Sequence, residues 1–174
     1  WSPALPSTIP ANNLTVTAQW AASSYTVTFD KQSGSGGSDS VTATFAGTMP
    51  AATAPTRAGY TFGGYYTAVD GGGTQYYTDA MASAANWNID SNTTLYAQWT
   101  VNTYAVTYDG NGNTDGAIPE AQTKTHDIDL TLFGVGTLIK PDYSFMGWNT
   151  AADGTGTHYA ADATYSANAP LALY

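Results

Sequence analysis

Five side chains rich in oxygen crowd one twelve-residue stretch: Asp109, Asn111, Asn113 and Asp115 at alternate positions, then Glu120 at the twelfth. Alternating oxygens closed by a final carboxylate are the donor order of a calcium loop. The match is incomplete, because Thr114 stands where the sharp turn wants glycine and Pro119 interrupts the run. An ordinary Asn-Gly turn between strands is the competing account, and calcium is the one cofactor these residues raise. Other chemistry is thinner. His126 lies in the polar run Thr125-His-Asp-Ile-Asp129 and His158 has no matching histidine elsewhere, so both read as exposed and incidental. Ser35, Ser38 and Ser40 lie in a Gly-Ser turn, not on the strand-turn-helix that exposes a nucleophile. The runs Gly34-Ser-Gly-Gly37 and Gly71-Gly-Gly73 lack the Gly-Lys-Ser/Thr of a phosphate loop. Asp30 and Asp109 each end a strand alone, whereas glycoside cleavage needs two carboxylates facing one sugar. Both are expected to cap turns, no catalytic residue is assigned, and the chain reads as a non-enzyme.

Aromatic rings offer binding instead of catalysis. Tyr65, Tyr66, Tyr76, Tyr77 and Trp148 are the rings able to stack on sugars. Tyr65 and Trp148 hold matching places, however, which favours a shared duty at a core edge or repeat junction. A Lys-Asn crosslink at Lys140 is disfavoured, since Lys140 aligns with Arg57 and a guanidinium does not form that amide.

Composition narrows the partners. The 174 residues carry 4 basic and 13 acidic side chains, a net charge of -9, and no cysteine. One arginine and three lysines cannot build the basic stripe that phosphate backbones require, so nucleic acid is excluded as a partner. No run approaches the roughly 18 apolar residues of a membrane span. Charged residues are only 10% while aromatics reach 13%, which points to a folded chain rich in strands and turns rather than a disordered acidic one.

The elements that must position these residues are repeated. Tyr25-Thr-Val-Thr-Phe-Asp30 returns 79 residues later as Tyr104-Ala-Val-Thr-Tyr-Asp109. Gly59-Tyr-Thr-Phe-Gly-Gly-Tyr-Tyr-Thr67 returns 83 residues later as Asp142-Tyr-Ser-Phe-Met-Gly-Trp-Asn-Thr150, and Gly73-Thr-Gln-Tyr76 as Gly156-Thr-His-Tyr159. A closing block appears as Val16-Thr-Ala-Gln-Trp20, as Leu95-Tyr-Ala-Gln-Trp99, and as Leu173-Tyr174. The sequence therefore divides into residues 1–20, the tail of a preceding repeat; 25–99, a complete repeat; and 104–174, a repeat lacking its last closing-strand residues. Linkers at Ala21 to Ser24 and Thr100 to Thr103 are too short for independent tumbling, so the repeats should run end to end as a rod.

Period-two alternation of Tyr25, Val27 and Phe29 against Thr26, Thr28 and Asp30 predicts half-buried strands, as does Leu95, Ala97 and Trp99. Ser33 to Ser38, Asp70 to Gly73 and Asp109 to Gly116 are the expected turns. One helix is predicted, around Thr78 to Ala85, with Thr78-Asp79 as its cap.

Together these blocks resemble the Listeria-Bacteroides repeat, the B-repeat of internalin-type surface proteins: an opening Tyr-x-Val-x-Phe/Tyr-Asp, a central Gly-Tyr-x-Phe-x-Gly-Trp/Tyr and a closing Leu-Tyr-Ala-Gln-Trp. The resemblance covers almost the whole chain. It implies a mostly β (α+β) fold of small β-grasp-like domains in tandem, on secreted or wall-attached bacterial proteins, with no catalytic residues. The expected role is a stalk or attachment surface outside the cell. Expected partners are a protein or glycan on a host or neighbouring cell, or the chain itself. A glycan- or protein-binding module accessory to an enzyme encoded elsewhere is the alternative. A further expectation concerns strand exchange: the Leu14 to Trp20 strand of one molecule filling the last repeat of its neighbour, against the plainer account that the sequence is an excerpt.

Overall fold

The computed structural model describes residues 17–174. Alternation builds the first unit as the sequence predicts. Its strands are β1 (Ser24–Asp30), β2 (Ser40–Thr44), β3 (Tyr60–Tyr66), β4 (Gln75–Tyr77) and β5 (Thr93–Val101). They form one sheet in the order β2-β1-β5-β3-β4. The closing strand β5 is central, parallel to β1 and antiparallel to β3. Val27 and Phe29 of β1 turn inward while Thr26 and Thr28 face water. Behind the sheet, Phe29 stacks on Tyr65 with ring centres 4.4 Å apart, and Tyr76 lies 4.8 Å from Trp87. Leu95 and Met49 complete this core.

The second unit repeats the plan with less ladder. Its strands are β6 (Thr103–Tyr108), β7 (Gln122–Thr125), β8 (Leu130–Thr131), β9 (Trp148–Asn149), β10 (His158–Tyr159), β11 (Thr164–Tyr165) and β12 (Leu171–Leu173). Strand β6 pairs with β7 and, in parallel, with β12, while β9 with β10 and β8 with β11 form separate two-stranded pairs. A core of its own gathers Val106, Leu132, Trp148, Tyr165 and Leu173. Two separate cores make two units in series, nearly all β.

Three expectations are corrected. Thr78 to Ala85 is no helix: the Met81 and Ala82 amides donate to the Thr78 carbonyl and Oγ1, Thr78 N donates back to Ala82 O, and Met81 takes a φ of +60°. Side-chain oxygens there compete with helical bonds, and pairing of Ser83 with Tyr77 holds the segment against β4. The linker at Thr100 to Thr103 shrinks to Asn102 alone, because Thr100 and Val101 extend β5 against Thr61 and Tyr60. Of the expected Leu14 to Trp20 strand, Leu14 to Val16 lie outside the described residues, and Thr17 to Trp20 carry no strand.

Burial is unequal at one matched place. Ala43, opposite Tyr25, is fully buried; its counterpart opposite Tyr104 is Lys124, also fully buried. The Lys124 Nζ donates to Thr125 O at 2.8 Å and Asn168 Oδ1 at 3.2 Å. Asn168 also receives the Asp127 amide and donates to its carboxylate. Hydrogen-bond partners are what make a buried amine tolerable, and here they tie β7 to the segment before β12.

Candidate functional site

The turn after each opening strand is built twice from the same parts. Asp30 Oδ1 accepts the Gln32 amide at 2.9 Å, and Asp109 Oδ1 accepts the Asn111 amide at 2.8 Å. Both turn residues are left-handed, at φ +48° and +44°. A cation then clamps each turn: Arg57 donates to Gln32 O and Lys140 to Asn111 O. Each cation also lies over a ring three residues on, Arg57 at 3.7 Å from the Tyr60 centre and Lys140 at 5.0 Å from that of Tyr143. Turn capping by Asp30 and Asp109 is thus observed.

Four of the five oxygen side chains named for calcium serve this turn and its surroundings. Asp109 caps Asn111; Asn111 Nδ2 donates to Ala152 O, and Asn113 Nδ2 to Asp115 O. Asp115 Oδ1 accepts the Gly116 amide. Glu120 is exposed beyond the turn. Among the described residues no three His, Cys, Asp or Glu side chains gather as a metal cluster.

Burial removes most of the sugar platform. Tyr65, Tyr76, Tyr77 and Trp148 are at most 1% exposed, so these four are core residues rather than ligand-facing ones. Only Tyr66 reaches the surface, in part. Burial pushes the Tyr65 and Tyr77 phenols up to about 12, Tyr65 also feeling the negative charges of Asp30 and Asp39. Burial agrees with the core duty that the matching places of Tyr65 and Trp148 favour, and the sugar platform arose as an alternative because tyrosine suits both a half-wet face and a core.

His126 is a correction of another kind. It is no incidental surface residue: its side chain is 14% exposed and wedges between the two units. The Nδ1 lies 3.1 Å from Tyr104 OH, the ring packs edgewise on Tyr60, and its amide donates to Asn102 O. Gly59 makes the room, since a Cβ there would stand 1.9 Å from the imidazole. Asn102 completes the joint by donating to Gly59 O and accepting from Thr61 Oγ1. His158 is exposed yet employed, donating from Nε2 to Met146 O as Gln75 donates to Gly63 O in the first unit.

Sequence reasoning missed a cavity of about 350 Å³ in the second unit. It lies between the Asp109–Asn113 turn and residues 143–147, and Tyr174 forms its end. In the first unit Trp99 fills the matching space. Its Nε1 donates to Lys31 O at 2.9 Å, and its ring meets Phe62 at 5.4 Å. The cavity was not legible in the repeats, because the segments that line it are far apart along the chain.

With this geometry in view, family comparison is decisive. The model of the Listeria-Bacteroides repeat domain matches residues 25–98 and again 104–174. The chain belongs to the Listeria-Bacteroides repeat family. Curated relatives are several times longer than this chain. A putative membrane protein of Evansella cellulosilytica is 35% identical over 158 residues, 90% of this chain and 23% of that protein. A putative Gly-rich membrane protein of the same organism is 38% identical over 68% of this chain and 14% of its own length. Internalin H of Listeria monocytogenes is 35% identical over 59% of this chain and 16% of that protein. The chain thus spans less than a quarter of the length of these relatives. No solved structure matches it. In the matched repeats the Asp30 and Asp109 turns and the closing strand fall at this chain's own recurring blocks, which ties those blocks to packing.

Proposed function

We propose that this chain is a structural segment of a bacterial cell-surface or secreted protein, setting distance between other domains or presenting an attachment surface outside the cell. The observation that carries the reading is the joint. Two self-contained cores are separated by one residue, Asn102, and interlocked by His126, Tyr60 and Thr61. Short connection plus side-chain interlock restricts bending, which is what a spacer requires. Membership of a repeat family found in bacterial proteins several times longer supports the same reading, as does a central parallel β1–β5 pair for the β-grasp-like expectation. The sugar-platform alternative loses its support with the burial of four of its five rings. Small-angle scattering of the chain tests the spacer. It should give a maximum dimension close to twice that of one repeat; a single-globule profile overturns the reading.

A further inference from the structure

We propose that Lys124 and Asn168 join through an amide bond between their side chains, with Asp127 serving the reaction. The three groups meet inside the second repeat. Lys124 Nζ donates to Asn168 Oδ1 at 3.2 Å and to Thr125 O at 2.8 Å, so the amine is held beside the carboxamide it attacks. The Asp127 backbone amide donates to the same Oδ1 at 2.8 Å, which polarises that carbonyl and supplies a donor for the negative charge that attack builds on the oxygen. On the other side of the carboxamide, Asn168 Nδ2 donates to Asp127 Oδ1 at 2.7 Å. Nucleophile, electrophile, oxyanion donor and a proton carrier at the leaving nitrogen are thus in place together. Reacting groups held about 3–3.5 Å apart need no further encounter.

Burial supplies the drive. Lys124 is fully buried on β7, and among the described residues it makes no ion pair. A buried ammonium without a counter-charge is costly, whereas a secondary amide is neutral and keeps one N–H for Thr125 O. The step balances without an oxidant or a cofactor. The amine, having released one proton to solvent, attacks Cγ of Asn168; the Nζ–Cγ bond forms and the Cγ–Nδ2 bond breaks. The second proton shed by Nζ passes by way of the Asp127 carboxyl group to Nδ2, which leaves as ammonia. The Asp127 side chain is 78% exposed and Asn168 is exposed as well, so ammonia escapes to water and the step does not reverse.

The first repeat lacks the parts. Ala43 takes the place of Lys124, and Asp90 that of Asn168, each three residues ahead of the closing-strand residue that pairs with Val27 or Val106. Neither amine nor carboxamide is present there. The link falls instead in the repeat whose ladder is broken into a three-stranded sheet and two pairs, and it ties β7 to the segment before β12 across 44 positions. Closing such a loop restricts the unfolded chain as a disulfide does, in a sequence with no cysteine. The inference stands apart from the spacer reading, since it concerns the inside of one repeat.

Intact-mass spectrometry of the purified 174-residue chain tests it. The mass should be lower than the sequence requires by one ammonia, and peptide mapping should place the loss in one branched peptide carrying Lys124 and Asn168. Asp127→Asn keeps an exposed, hydrogen-bonding side chain, so that variant should stay folded by circular dichroism and show the full mass. Lys124→Met, which keeps the buried bulk without the amine, should show the full mass too. A full sequence mass in the folded, unaltered chain overturns the proposal. So does a loss of ammonia confined to linear peptides, which marks an asparagine closing on its own backbone. A branched peptide that forms as fully in Asp127→Asn overturns the part given to Asp127.

Discussion

The closing strand of the first repeat runs nine residues and is paired on both sides; that of the second runs three and is paired along its length on one. The effect on the ladder is large. A five-stranded sheet in one repeat becomes a three-stranded sheet and two isolated pairs in the other. The effect on the core is small. Trp148 and Leu173 remain 1% exposed, as well buried as Tyr65 and Leu95 in the first repeat. Side-chain packing therefore holds strands in place where the ladder is interrupted, which is expected when apolar burial outweighs the net gain of a backbone hydrogen bond. Both repeats also keep a left-handed glycine at one matched place. Gly64 and Gly147 take φ of +115° and +124°, and a Cβ at either would stand within 2.5 Å of a carbonyl, Tyr77 O or Tyr159 O.

The largest way to break this comparison is to empty one core alone. Trp87→Ala removes a fully buried ring and should cost the first repeat about 3–5 kcal/mol. Because the second core is separate, hydrogen exchange should show lost protection in β1 to β5 and retained protection at Val106 and Leu173. Loss spread evenly over both would mean that the repeats unfold as one.

Alkali should separate the repeats by a smaller margin. The Tyr65 and Tyr77 phenols titrate at about 12 in the folded state, above the ordinary value near 10, so the folded state favours their neutral form. That stability is complete below about pH 10 and is lost as pH rises toward 12. Their counterparts are Trp148 and Ala160, which do not titrate; in the second repeat burial raises Tyr108 and Tyr165 to a lesser degree. Denaturant melts between pH 9 and 12 should show the first repeat losing stability faster. An equal loss would contradict the unequal burial of phenols.

The smallest test sharpens the likeness. Asp30→Ala and Asp109→Ala each remove one side-chain bond to a turn amide, and each should cost about 1 kcal/mol in its own repeat. Arg57 sits closer to its ring than Lys140 does, so the first turn retains more order after the loss. Exchange rates of the Gln32 and Asn111 amides would rank the two.

Much of this was written along the chain. Alternation at Tyr25 to Asp30 and Leu95 to Trp99 gave strands with the correct inward face, and the spacing of matched blocks gave the two repeats, because both depend on neighbours within a few residues or on self-similarity. The match of Lys140 to Arg57 was legible, though not the turn carbonyl that each one bonds. Tertiary structure alone decided the rest. An alanine-rich stretch at Thr78 to Ala85 turned rather than coiled, since Thr78 and the edge of β4 captured its amides. His126 looked idle until Gly59 and Tyr60, far back in the sequence, came to face it. Rings that suit either water or a core went inward because the sheet closed over them. The cavity of the second repeat likewise exists only in three dimensions, because the turn at Asp109 to Asn113, residues 143–147 and Tyr174 that line it meet only through packing.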